Sequence, residues 1–221
     1  MNSILGLFLG FATAYLMGSF PTGVIVGKLF FGKDPRAGGS GASGATNIFR
    51  QFGAAAGIAV TLVDVAKGGL AVMVSSALGA ATMASPEVAR IGGALFAVIG
   101  HVYPVFAGFR GGKGVATGAG ALLVIAPGAA LFSGIGFLLV LGFSGIVSAS
   151  SITAALILPA AIAFGAAGKP PSAWLLVFSL LLAAFVLVAH RANIRRILEG
   201  REKSFDKLKF LRRNRRRSLR R

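Results

Sequence analysis

The chain has 221 residues, is 55% hydrophobic and only 13% charged, and combines a mean hydropathy of +0.80 with a net charge of +17. That charged fraction is about half of what a soluble domain carries. The absence of cysteine excludes disulfides, thiolate metal sites and a cysteine nucleophile, and two histidines with six carboxylates are too sparse for a metal cage, so no metal is expected.

Seven apolar stretches follow one another, approximately 4–26, 54–83, 88–107, 115–126, 128–143, 151–167 and 172–189. Several reach the roughly 20 residues that cross a bilayer. They predict an all-α, multi-pass membrane helical bundle of about seven transmembrane helices. Pro127-Gly128 divides the fourth stretch from the fifth. Proline lacks a backbone donor and disrupts a continuing helix, so a tight hairpin with a short fourth helix is expected there; a single kinked helix would give six spans instead. Lys and Arg mark the orientation. Lys28, Lys33, Arg36 and Arg50 lie in the first connection, Arg110 and Lys113 in the third, and fourteen Lys/Arg against three carboxylates in residues 190–221. The other connections offer only Arg90, offset by Glu87, and Lys169. The N-terminus is therefore expected outside and the C-terminus in the cytoplasm. A basic tail after the last apolar run suits an anionic membrane surface better than nucleic acid.

The first long connection reads R-A-G-G-S-G-A-S-G-A-T-N-I-F-R over 36–50. Gly39, Gly41 and Gly44 make a literal G-x-G-x-x-G, but the dinucleotide reading needs a βαβ unit, and membrane helices flank this one. Its physical content survives: successive glycine amides form an anion-binding concavity, the loop leads into a helix N-terminus near Asn47, and Ser40, Ser43, Thr46 and Arg50 add donors. Asp64 and Lys67, at i, i+3 in the second stretch, are expected to form a structural ion pair, because ionisable groups in a membrane are costly and usually paired.

Residues 101–117 read H-V-Y-P-V-F-A-G-F-R-G-G-K-G-V-A-T. Ala107 and Gly114 break the nucleotide-triphosphate loop pattern, yet Gly111, Gly112 and Gly114 around Lys113 still let backbone and ammonium approach an anion. His101 suits a hydrogen-bonded structural role better than catalysis. Ser148, Ser150, Ser151 and Thr153 form a hydroxyl cluster at the next mouth. The last motif, H-R-A-N-I-R-R-I-L-E-G-R-E from 190 to 202, places His190, Asn193 and Ile194 on one helical face.

Together these segments resemble the bacterial acyl-phosphate-dependent glycerol-3-phosphate acyltransferases, the PlsY family. The resemblance runs from about Gly18 to Phe205: G-S-F-P-T-G at 18–23, G-S-G-x-x-G-A-T-N at 39–47, L-V-D-V-A-K-G at 62–68, H-V-Y-P-V-F at 101–106, G-G-K-G-V-A-T at 111–117, S-I-T-A at 151–154 and H-R-x-N-I-x-R-x-L-x-G at 190–200. Ala42 stands where the family commonly has Asn, Ala192 where it has an acidic residue, and the Arg-rich extension beyond 206 exceeds the usual length.

The resemblance implies transfer of a fatty acyl group from acyl phosphate to the sn-1 hydroxyl of glycerol 3-phosphate, giving lysophosphatidic acid and phosphate. It implies catalytic roles for Ser40, Lys113, His190 and Asn193. Gly39, Gly41, Gly44, Thr46, Asn47, Arg50, Gly111, Gly112 and Gly114 would hold the phosphates; His101, Ser148 and Ser151 are further candidates. His190 and Asn193 are expected to orient substrate, with no obligatory protein base. Acyl phosphate is already activated, so no cofactor is expected. Partners are the two substrates and membrane lipids, and the location a bacterial cytoplasmic (inner) membrane with the site facing the cytoplasm. The chain is expected to divide into a transmembrane acyltransferase domain (1–189), a motif completing the site (190–205) and a basic tail (206–221). Thioester-dependent acyltransferases often carry H-x-x-x-x-D, but Phe106 and Arg195 occupy the position five after each histidine. The alternative is a transporter or binding protein for an anionic solute.

Overall fold

Pro21 breaks the first apolar stretch. It follows Gly18, Ser19 and Phe20, and the helix that begins at Ser3 stops at Gly18 and restarts at Thr22. The computed structural model describes residues 3–81, 85–166 and 172–211, and the regular structure among them is helical, without strands. It divides into two compact units, Met1–Ile125 and Ala126–Arg221.

The first unit comprises α1 (Ser3–Gly18), α2 (Thr22–Phe31), α3 (Ala45–Phe52), α4 (Ala54–Ala80), α5 (Pro86–Val102) and α6 (Val115–Ile125). Helices α1, α4 and α5 pack on one another, and α6 packs on α4 and α5. Their common core is made of small side chains: Ala14, Ala71 and Ala97 are fully buried. Small residues let membrane helices approach to backbone contact, and here they do. A Cβ added at Gly18 would overlap the Ala97 carbonyl, and one at Gly100 the Tyr15 carbonyl. Helices α4 and α6 meet reciprocally, Gly68 against the Thr117 carbonyl and Gly120 against the Val65 carbonyl. The short amphipathic α3 closes a second cluster, in which Ile48 and Val60 are fully buried beside Ala56.

Large apolar side chains point outward instead. Ile4, Phe8, Leu62, Leu70 and Met73 are among the exposed ones. Such a surface is an association liability in water and the ground state in hydrocarbon.

The second unit comprises α7 (Pro127–Ser144), α8 (Val147–Ala163), α9 (Ala173–Ala189) and α10 (Arg191–Leu198). Pro127 occupies the first turn of α7, where a missing N–H is no loss. Gly145 ends α7 at φ +70°, donating its N–H to the Leu141 carbonyl. Helix α8 packs against both α7 and α9. The Ser172 hydroxyl caps α9 by accepting from Leu175 N at 3.0 Å, and a 62° bend at His190 separates α9 from α10. Residues 205–211 return to the α7–α8 turn: Phe205 N donates to Gly145 O at 2.9 Å, and Phe210 and Leu211 lie against Gly142.

Each of the seven apolar stretches thus contributes helix among its described residues, the first as α1 and α2. Among the described residues four candidate spans are long and apolar enough to cross a membrane (Ile4–Phe31, Ala54–Ala80, Pro86–Ala107 and Pro127–Ser144), and α9 with α10 counts as a fifth if the bent pair is one span. Helices α6 and α8 are shorter, with 11 and 17 residues. Lys169 and residues 212–221 of the expected basic tail lie outside the described residues.

Candidate active site

The first glycine loop is held from within by Asn47. The residue is 2% exposed, and its amide nitrogen donates to Pro35 O at 2.9 Å and Ala42 O at 2.7 Å, while its Oδ1 accepts from Ser40 N at 2.9 Å. Gln51, one helical turn on, adds a bond to Pro35 O at 2.8 Å. Gly39 and Gly41, at φ +63° and +72°, supply the left-handed turns that this wrapping requires. Ser40 is left on the exposed rim, Thr46 and Arg50 are half-buried, and α3 begins after Gly44 without a side-chain cap. The amides of its first turn therefore face the loop.

The second loop descends from α5. Gly111 N donates to Val102 O at 3.1 Å and Gly112 N to His101 O at 3.2 Å, which satisfies the helix's last carbonyls. There is no room for side chains at either glycine, because the His101 carbonyl and imidazole fill it. The two loops touch: Ser43 N donates to Gly111 O at 3.3 Å, and Gly44 packs against Gly112. Helices α3 and α6 therefore start side by side, one after Gly44 and the other after Gly114. Helix N-termini attract anions through their orphan amides and dipole. Lys113 is half-buried beside them. Arg36 adds a clamp. It pairs with Asp34 at 2.7 Å and donates to Ala107 O at 2.6 Å, linking the start of one loop to the other. The Arg36 hydrogen bond holds the Asp34 carboxyl well below the usual carboxylate range.

Beneath the loops lies a buried polar cluster. Asp64 Oδ1 accepts from Thr22 Oγ1 at 3.0 Å and pairs with Lys67 at 2.8 Å. Lys67 also donates to Phe20 O at 3.0 Å, at the break between α1 and α2. His101 Nδ1 lies 3.1 Å from Thr117 Oγ1 and 3.7 Å from Asp64. A small pocket opens over this cluster, walled by Phe20, Pro21, Ser43 and Pro104. The Asp64–Lys67 pair expected from spacing is present, and it ties α1, α2 and α4 together.

In the second unit the organising group is Glu202, which sequence reasoning passed over. Its side chain is 2% exposed and accepts from Ser148 at 2.9 Å, Asn193 at 2.7 Å and Arg196 at 2.6 Å. Burial raises its pKa, but these three hydrogen bonds outweigh burial and hold it below the ordinary value. Asn193, Ser148 and Arg196 are therefore fixed by one carboxylate. The His190 ring, 3% exposed, makes a 2.8 Å bond from Nδ1 to Val186 O. A carbonyl only accepts, so Nδ1 carries the proton and Nε2 is the basic nitrogen of the neutral ring. Ser150 and Ser151 bond back to carbonyls of their own helix, at Ile146 and Val147. Of the hydroxyl cluster, only Ser148 reaches across to another element among the described contacts.

The sequence pattern described as Glycerol-3-phosphate acyltransferase matches residues 8–200. The chain belongs to the glycerol-3-phosphate acyltransferase family. A member from Anaeromyxobacter sp. (strain Fw109-5) is 44% identical over 91% of this chain and 97% of its own. Another, from Enterococcus faecalis (strain ATCC 700802 / V583), is 42% identical over 86% and 87%. The fold is also similar to two crystal structures of PlsY (YgiH), an integral membrane glycerol 3-phosphate acyltransferase. The glycerol 3-phosphate form gives a TM-score of 0.79 at 36% identity, covering 93% of this chain and 98% of that one. The lysophosphatidic acid form gives 0.77 at 35%, with the same coverage. This family member is an integral membrane protein, as its outward apolar faces require, and these relatives do not favour the transporter reading. Glu202 lies two residues beyond the family match. Thr22 and Thr117 fall in quoted motifs but had been given no role, since nothing in a linear pattern shows that they face Asp64 and His101.

Proposed function

We propose that the chain transfers a fatty acyl group from acyl phosphate to the sn-1 hydroxyl of glycerol 3-phosphate. The hydroxyl oxygen bonds to the acyl carbon, the acyl–phosphate C–O bond breaks, and lysophosphatidic acid and phosphate leave. The observation that carries this reading is the junction of the two glycine loops, where the starts of α3 and α6 lie side by side, with Lys113 in the second loop and Arg50 in the last turn of α3. Two phosphate-bearing substrates need two anion sites, and two helix N-termini supply them. Acyl phosphate carries its own activation, so no cofactor or metal is required.

Within the first unit, Gly39, Gly41, Gly44, Thr46, Asn47, Arg50, Gly111, Gly112 and Gly114 are assigned to phosphate binding, Ser40 and Lys113 to the reacting groups. Asn47, Gly111 and Gly112 act by shaping their loops, since their amides are used there. For the second unit the assignment is that His190 and Asn193 orient substrate and stabilise charge. The hydroxyl proton goes to the substrate's own phosphate, whose second pKa is near 6. We further place the glycine loops on the cytoplasmic face of a bacterial cytoplasmic membrane, with seven crossings and the N-terminus outside, from the Lys/Arg bias of the connections.

The direct test is turnover of labelled glycerol 3-phosphate with acyl phosphate by the purified chain. Charged hydrogen bonds contribute about 1.5–3 kcal/mol, roughly ten- to a hundredfold. Lys113→Ala and Arg50→Ala should each lose that much or more while still inserting; near-wild-type kinetics in both defeats the assignment.

A further inference from the structure

The end of the first unit that carries the glycine loops also carries two apolar tips left uncovered by its own packing. At the end of α2, Leu29 is 72% and Phe30 70% exposed, between the exposed Lys28 and Lys33. Beyond α5, Phe106 is 62% and Phe109 58% exposed, followed by the exposed Arg110. The tips are joined through one carboxylate: Lys28 lies 3.7 Å from Asp34, Arg36 pairs with it, and Arg36 reaches Ala107 O. Leu29 and Phe30 lie at the end of the candidate membrane span Ile4–Phe31, and Phe106 at the end of Pro86–Ala107, with Phe109 just past it. Phe109 adopts φ +59°, the one positive φ of a non-glycine residue among the described residues, directly after Gly108 at +63°. Side chains of L residues rarely adopt that conformation. An aromatic ring is thus held outward at a position whose backbone suits glycine.

We propose that the two tips form an aromatic and basic rim that seats in the headgroup layer of an anionic bilayer, holding the glycine loops at headgroup depth. Phe and Leu flanked by Lys and Arg bury at the boundary between headgroups and acyl chains in interfacial segments. Cations beside them draw anionic headgroups, and Asp34, the one carboxylate of the two tips, is already taken by Arg36. The seating stands apart from the acyltransferase reading, because it is read by spectroscopy and not by turnover.

Trp174 is the sole tryptophan, so Trp174→Phe with Phe109→Trp leaves one reporter in the full chain. Bilayers would mix phosphatidylcholine and phosphatidylglycerol, with one of the two brominated near the headgroup end of its chains. Emission should fall when either lipid is brominated, and fall further when phosphatidylglycerol is the brominated lipid. Unquenched emission with the maximum of indole in water overturns the proposal. Equal quenching by both lipids overturns its anionic part. Changing Lys28, Lys33 and Arg110 together to Gln should erase the lipid preference and keep the quenching; a preference that persists removes those cations from the rim. If Phe109→Trp does not fold, Phe106→Trp carries the same measurement.

Discussion

Asp64 is 2% exposed, and one of its oxygens serves both Thr22 and Lys67. Breaking a buried pair by removing one partner leaves an uncompensated charge and costs about 3–5 kcal/mol. Asp64→Ala should therefore lower the melting temperature of the detergent-solubilised protein sharply. Asp64→Ala with Lys67→Met should recover part of the loss; a double variant no better than the single one would show that the pair itself is not what stabilises. Glu202 makes a pH-dependent case. Its folded pKa lies below the ordinary value of 4.5, so its contribution is present above that value and lost as pH falls through the folded pKa. Stability should then drop as pH is lowered beneath about 4.5, with a shallower slope in Glu202→Gln, which is already destabilised at neutral pH. Parallel slopes in the two proteins would remove Glu202 from the acid response.

Among the elements, α4 and α6 are held at backbone contact by Gly68 and Gly120. Inserting atoms into such a seam costs roughly 1–3 kcal/mol, so Gly68→Leu should destabilise and also disturb the second glycine loop, which feeds α6. Its effect on KM for glycerol 3-phosphate, measured beside Gly134→Leu as a control with open space at its Cβ, separates seam from general bulk. Residues 205–211 lie on the α7–α8 turn near Ser148, so truncation after Ser204 should lower the melting temperature. Truncation after Leu211 should leave it and turnover of soluble substrate unchanged if the remaining arginines act as a tether. The helices were legible in the sequence because apolar length is a local signal, and the glycine loops because backbone-only segments stand out in composition. The partners Thr22 with Asp64 and Ser148 with Glu202 were not, being 42 and 54 positions apart; no periodicity reports a contact made only after the helices pack.

For the whole molecule, the proposed topology has a direct check because the chain lacks cysteine. Single cysteines at Ala42 and Ala192 should resist an impermeant thiol reagent on intact cells and react after permeabilisation; labelling of either from outside reverses the orientation. The glycine-built interior also bears on how this protein could be hardened for long experiments. A usual route to greater heat resistance replaces helical glycine by alanine, which contributes about 0.4–1 kcal/mol at compatible sites. Here the route is closed at Gly18, Gly68, Gly100 and Gly120, where a neighbouring carbonyl occupies the methyl's place, and open at Gly134 in α7, where nothing lies within 4 Å. A library that replaces helical glycines at random would mostly sample damage; one confined to glycines with open space at the Cβ, such as Gly134, would not.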